Sequence, residues 1–151
     1  MKRLCIIPCG AKKIWDVDPL KGATKACYVY RSPFHIACQK YATVFFSDWV
    51  ILSAKHGFLF PDDLVLANYD VAFGTKKDDI ITAEALRHQL KEKEIKDYQE
   101  IIVLGGKKYR KVISEVFDES YHVTYPLSGC KGIGYMLQRL NKAVESKEEI
   151  K

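Results

Sequence analysis

No apolar run in this sequence approaches the roughly 18 residues needed to cross a bilayer, so no membrane span is expected. The opening stretch MKRLCIIPCG is too short in its apolar part for a secretory leader. No Cys-x-x-Cys pair occurs, and the five cysteines (Cys5, Cys9, Cys27, Cys38 and Cys130) are irregularly spaced. A zinc site of the usual spacing is therefore unsupported, and no metal or cofactor is expected. Unpaired thiols without a leader fit a reducing, cytoplasmic setting. The phosphate-loop pattern GxxxxGK(S/T) is missing, and GCKGIG departs from GxGxxG because its glycines fall at Gly129, Gly132 and Gly134. Internal repeats, low-complexity segments and linkers are also lacking.

What is present fits one domain over residues 1–151. The chain is 48% hydrophobic and 28% charged, close to the globular average and enough to bury a sizeable core. Its net charge of +5 permits an anionic ligand or nucleic acid without requiring either. The basic residues are scattered among 19 acidic ones, so the basic stripe of a duplex binder is not evident.

Arg3 to Pro8 (RLCIIP), Trp49 to Leu52 (WVIL) and Ile101 to Leu104 (IIVL) are short, continuous apolar runs. That is the pattern of strands buried on both faces. Tyr121 to Tyr125 alternates more and predicts a strand nearer the edge. Gly10 to Arg31 is mixed and polar and predicts a long loop. Ser32-Pro33 predicts a helix start, a capping hydroxyl followed by proline at the first helical position. Further helices are predicted from Ile80 to Glu94 with Asp79 as cap, around Tyr109 to Val116, and from Met136 to Val144. The charged tail from Ser146 to Lys151 is expected to fray. Strands and helices alternate throughout. This predicts an α/β fold, a three-layer αβα sandwich of Rossmann-like kind with a mainly parallel sheet of about four strands.

In such a sheet, ligands bind outside the carboxyl ends of the strands. After the first strand come Cys9, Gly10, Lys12 and Lys13; after the second, Ser53, Lys55, His56 and Gly57. After the third come Gly105, Gly106 and Lys107; after the fourth, Ser128, Gly129, Lys131, Gly132 and Gly134. Each loop carries glycine, which lets a backbone N–H approach a ligand, and lysine, which supplies charge. Helix N-termini behind the last two loops add positive dipole ends. The expectation is one positive cleft for a phosphate, a carboxylate or an electron-rich base.

Cys9 is the candidate nucleophile, because positive charge beside a thiol favours the nucleophilic thiolate. Its bland alternative is a small packed thiol beside a tight turn. His56 is a candidate acid or base, or a stacking and hydrogen-bonding group. Lys55 reads as a ligand contact or as a solvated turn lysine. Asp70 could orient His56 or Lys55, or close an Asx turn. The segment from Gly57 to Asp79 exceeds the length of about 12–15 residues beyond which structureless loops are uncommon, and is expected to fold over the cleft. Trp15, Tyr28 and Tyr30 could stack on a base or pin the first loop.

Taken together, IIPCGAKKIWD, VILSAKHGFLFPDD, NYDV, VLGGKKY and PLSGCKGIGYMLQRLN resemble, in order, a bacterial and phage domain family of unknown function. That family looks related to the YaaA peroxide-stress protein superfamily. The most specific piece is Ser53, Lys55, His56, Gly57, Pro61, Tyr69 and Asp70, with His56 standing where tyrosine is usual. The resemblance implies an association with stress response, DNA binding and base modification. The expected ligand is an anionic or nucleobase-containing small molecule, or nucleic acid. The expected function is a small hydrolytic or lytic enzyme acting on a nucleobase, nucleoside or modified base. The rival is a non-catalytic nucleotide- or nucleic-acid-binding module.

Overall fold

The computed structural model describes residues 2–75 and 79–151. The first apolar run forms β1 (Arg3–Pro8), with Leu4, Cys5, Ile6 and Ile7 buried. Then follow α1 (Ile14–Val17), β2 (Thr24–Lys25), α2 (Ala26–Val29), α3 (Pro33–Phe45), β3 (Trp49–Ser53), β4 (Gly57–Leu59) and β5 (Leu64–Val65). The chain continues with α4 (Ala83–Glu92), a 3-10 turn (Ile95–Asp97), β6 (Glu100–Val103), α5 (Lys107–Val116), β7 (His122–Thr124) and α6 (Ile133–Ser146).

The main sheet has five strands in the order β4-β3-β1-β6-β7. β1 pairs in parallel with β3, placing Ile6 opposite Val50, and in parallel with β6, placing Ile6 opposite Val103. β6 pairs in parallel with β7. These strands run one way, so their carboxyl ends share one sheet edge. The chain goes from β1 to β3 on one side, then crosses to β6 on the other, so the strand order reverses at β1. A strand flanked by two others and covered on both faces needs apolar side chains at every position, which is why β1, β3 and β6 read as continuous runs. β7, at the edge, is only partly buried. α3 packs on α6, and α4 on α5. Among the described residues no helix is long and apolar enough to cross a membrane.

Several elements differ from the sequence pattern. The sheet carries a fifth strand, β4, antiparallel to β3. Gly57 turns the chain at φ +78°, and all three residues of β4 are buried, so the strand has no polar alternation to mark it. β2 and β5 form a small second sheet, and α1 and α2 occupy the stretch predicted as a loop. Thr82, not Asp79, caps α4, its hydroxyl accepting from the Ala85 N–H at 3.1 Å. That helix stops at Glu92, and Glu94 takes a left-handed φ of 60°. The Ser32 cap and Pro33 start of α3 match the expectation. The last residues are tied down: Ile150 packs on the core and donates its N–H to Tyr41 Oη at 3.0 Å, and Glu149 pairs with Arg3.

Candidate functional site

Cys9 follows β1 at the edge where the parallel strands end, and is half-buried. Its Sγ lies 3.4 Å from Tyr109 Oη, and that hydroxyl donates to the Cys9 carbonyl at 3.3 Å. Gly105 lets Tyr109 come so close. It leaves β6 at φ +131°, and a Cβ there would meet the Tyr109 ring at 3.2 Å. Phe73 packs edge-on against Tyr109 with ring centroids 5.7 Å apart. Burial first, then the charge of neighbouring Cys9, raises the Tyr109 pKa, so the phenol keeps its proton at neutral pH.

Cys9 also borders a cavity of about 460 Å³ at the strand-order reversal. Phe34, Met136 and Leu137 supply apolar walls, and the starts of α3, α5 and α6 reach it through Pro33, Gly106 and Ile133. Such volume and lining suit a small planar molecule. A wider groove of about 780 Å³ between α5 and β7 has no cysteine, histidine or lysine among its lining residues.

Next to Cys9 stands a buried polar group. Lys13 is 3% exposed; its Nζ donates to the Ala11 carbonyl at 3.1 Å and lies 4.4 Å from the Tyr69 ring centroid. Burial lowers the Lys13 pKa, against opposing pulls from Cys9, Asp16 and Asp70. Asp16 accepts the Lys13 backbone N–H at 2.8 Å and so fixes the start of α1. Tyr69 hydrogen-bonds Tyr30 through the two hydroxyls, and Ser53 Oγ lies 2.8 Å from Tyr69 Oη. Ser53 Oγ also accepts the backbone N–H groups of Lys55 and His56, at 3.2 and 3.1 Å. Burial pushes the Tyr69 phenol up to about 12, and the Tyr30 phenol further.

The His56 ring meets Tyr69 edge-on at 5.1 Å. Burial, then Lys55 and Lys93, lowers its pKa, so the imidazole is neutral at pH near 7. Its Nε2 is buried and has no hydrogen-bond partner among the described residues. A second histidine is fully structural. His35 Nδ1 donates to the Pro8 carbonyl at 2.7 Å, because Gln39 Nε2 donates to the other ring nitrogen at 2.9 Å and fixes the tautomer. This holds the peptide just before Cys9.

The structure therefore gathers some of the candidates and separates others. Cys9, Gly10 and Gly106 line one cavity, and Gly132 caps the helix whose first turn borders it. Lys13, Ser53, Lys55 and His56 surround Tyr69, with Lys55 Nζ 5.8 Å from its ring. Asp70 is exposed and lies within charge range of Lys13. Gly57 faces Gln89 of α4 and makes the β3–β4 turn. Gly129 lines a different cavity, with Arg3 and Glu100. Lys12, Lys107, Lys131 and Gly134 are exposed, and none of them lines the Cys9 cavity. Of the segment from Gly57 to Asp79, Tyr69 and Phe73 pack beside Cys9 and Tyr109, while positions 76–78 lie outside the described residues. Tyr109 and His35 carried no site signal in the sequence, because a tyrosine or histidine on an amphipathic helix reads as core. Tyr69 is present in the NYDV motif and Tyr30 among the loop aromatics, but neither pattern reveals that the two hydroxyls meet.

Three comparisons with known proteins gave matches. A protein from Bacillus subtilis (strain 168), uncharacterized protein YfjM, is 61% identical over 150 residues, covering 99% of this chain and 100% of that one. A crystal structure of AF0587, a protein of unknown function, aligns over 99% of this chain and 46% of its own, with 19% identity and a TM-score of 0.45. Residues 4–142 match the family of unknown function DUF6884, and the chain belongs to that family.

Proposed function

We propose that this chain is a small enzyme acting on a nucleobase, a nucleoside or a base in nucleic acid, with Cys9 as nucleophile. One observation carries the reading. The Cys9 thiol borders an apolar cavity of about 460 Å³ and lies within electrostatic range of a buried lysine, at the reversal point of a parallel sheet. The cavity walls suit a flat ring, and Lys13 is the counterion for a thiolate or for an anionic part of the substrate. In a hydrolytic cycle the Cys9 thiolate would attack a ring or glycosidic carbon and expel the leaving group, which takes up a proton. Water would then displace the sulfur and restore the thiolate. His56 and Lys55 contact Tyr69, and neither lines the cavity. The resemblance to the YaaA superfamily supports a nucleobase ligand. We further propose that α3 with α6, and α4 with α5, cover opposite faces of the sheet as the outer layers of a three-layer sandwich, and that the protein is cytoplasmic; the packing of α3 on α6 and of α4 on α5 supports the first.

A second reading, a non-catalytic nucleotide- or nucleic-acid-binding module, is favoured by the contact that already engages the Cys9 thiol with Tyr109. A thermal-shift screen against nucleobases, nucleosides and nucleotides separates the two. A ligand present at about 100 times its dissociation constant adds roughly 2.7 kcal/mol. The enzyme reading expects turnover of that ligand, abolished in Cys9→Ser with binding kept. Saturable binding with no turnover in the native protein assigns the binding module. Full turnover in Cys9→Ser ends the nucleophile assignment.

A further inference from the structure

We propose that Lys108 sets the ligand class of the Cys9 cavity: a flat ring bearing one carboxylate or phosphate, the ring held inside and the anionic oxygens on the Lys108 ammonium at the rim. This deepens the reading of the same site. It rests on that reading for the cavity as the place of the ligand, and not on any turnover.

The cavity joins an apolar interior to a charged rim. Phe34, Met136 and Leu137 are partly buried and pack against the core, so they wall the inner part. A ring laid on them takes apolar surface out of water. Ala11, Pro33, Lys108 and Ile133 also line the cavity and are exposed, which places them at its opening. Among the described residues that line it, Lys108 alone is basic and none is acidic. Two polar side chains of the lining are already engaged: Ser32 Oγ accepts the His35 N–H, and the Tyr109 hydroxyl donates to the Cys9 carbonyl. Within the lining, an anionic group finds its counter-charge at Lys108.

Position and freedom suit Lys108 to this task. It is the second residue of α5, beside Tyr109, which forms part of the cavity wall. Its Nζ stands over the Tyr109 ring, 5.4 Å from the centroid, so the ammonium stays next to that wall. A Cβ at Gly74 would lie 3.9 Å from Lys108 Cδ, so the lysine stem runs beside the turn that follows Phe73. Among the described residues no carboxylate pairs with Lys108. Its charge is therefore open to a ligand. Lys107, one position earlier, is also exposed but does not line the cavity. A carboxylate or phosphate on the Lys108 ammonium makes a charge-assisted hydrogen bond. A neutral ring of the same shape gains the apolar contact alone.

The test uses three probes with one flat ring: benzoate, phenyl phosphate and the neutral benzamide, at matched ionic strength. Each is titrated against iodoacetamide alkylation of the full chain. Peptide mapping by mass spectrometry gives the probe concentration that halves the rate at Cys9, with the half-buried Cys27 and Cys130 as internal controls. In the native protein at least one anion is expected to protect Cys9 at about tenfold lower concentration than benzamide, the scale of one hydrogen bond to a charged group. The better of the two anions identifies the group as carboxylate or phosphate. Lys108 is exposed and methionine matches lysine in helix propensity, so Lys108→Met is expected to fold. That variant should bring both anions to the benzamide value, while Lys107→Met keeps the native preference. Because each value is a ratio within one protein, a change in Cys9 reactivity itself does not disturb it. Equal protection by all three probes in the native protein, or none by any, overturns the proposal. So does an anion preference that survives Lys108→Met or is lost equally in Lys107→Met. Full turnover in Cys9→Ser would end the nucleophile assignment and leave the Lys108 site standing. A missing anion preference, with turnover abolished in Cys9→Ser, would do the reverse.

Discussion

His35 shows how one buried side chain ties stability to the site. Burial lowers its pKa to about 4, partly offset by the bond to the Pro8 carbonyl. In the unfolded chain the imidazole titrates near 6.5, roughly the ordinary histidine value. Between those values the unfolded chain binds a proton that the folded one refuses, so stability falls as pH drops from about 6.5 toward 4. Between about pH 7 and pH 5 the loss is on the order of 2 kcal/mol from this residue. Urea unfolding at those two pH values checks it. His35→Asn, which cannot protonate, should show a shallower decline than the native chain, and equal declines would remove His35 as the cause. At this scale the sequence was legible for where Cys9 and Ser53 fall, just after β1 and at the end of β3. It was silent on His35, because a histidine on an apolar helix face reads as packing until its partner carbonyl, 27 positions away, is seen.

Among the elements, α3 is the one whose start was written locally. Ser32 Oγ accepts the His35 N–H at 3.4 Å, and Pro33 begins the helix. Ser32→Ala should cost about 1 kcal/mol, read as a shifted urea midpoint. The same cap packs against the site loop, since a Cβ at Gly10 would lie 2.7 Å from Ser32 Oγ. The β3–β4 hairpin is a stronger case. Gly57 has φ +78°, and a Cβ there would overlap the Gln89 amide, which bonds both Phe58 N–H and the His56 carbonyl. Gly57→Ala should destabilise the protein by about 1–3 kcal/mol. Because Gln89→Ala also removes those two hydrogen bonds, it should cost less in the Gly57→Ala background than in the native chain, by the steric part of the loss. Equal costs in the two backgrounds would mean that the positive φ alone sets the Gly57→Ala loss. β4 escaped the sequence pattern because three buried residues after a turn offer neither alternation nor length.

For the molecule as a whole, the sheet order sets a gradient of protection. β1 is bonded on both sides and lies at the centre, while β5 belongs to a two-residue pair in a separate small sheet. Amide hydrogen exchange should therefore be slowest at Leu4 to Ile7, opening only with global unfolding, and much faster at Leu64 and Val65. Fast exchange in β1 would contradict the parallel pairing on both flanks. The α/β class and the parallel core were legible, since a strand covered on both faces must be apolar throughout. The small second sheet was not, because two-residue strands leave no periodicity.

The sequence by itself determined the strand runs, the Ser32-Pro33 helix start and the shared edge on which Cys9, Ser53 and Gly105 fall. Each follows from short-range preference or from burial on both faces. Only the tertiary structure decided which side chains meet at that edge. Tyr109 reaches Cys9 from 100 positions away, Tyr69 reaches Tyr30 from 39, and Ser53 reaches Tyr69 from 16. The meeting of these hydroxyls depends on how distant segments are brought together in space. No local pattern of residues contains it.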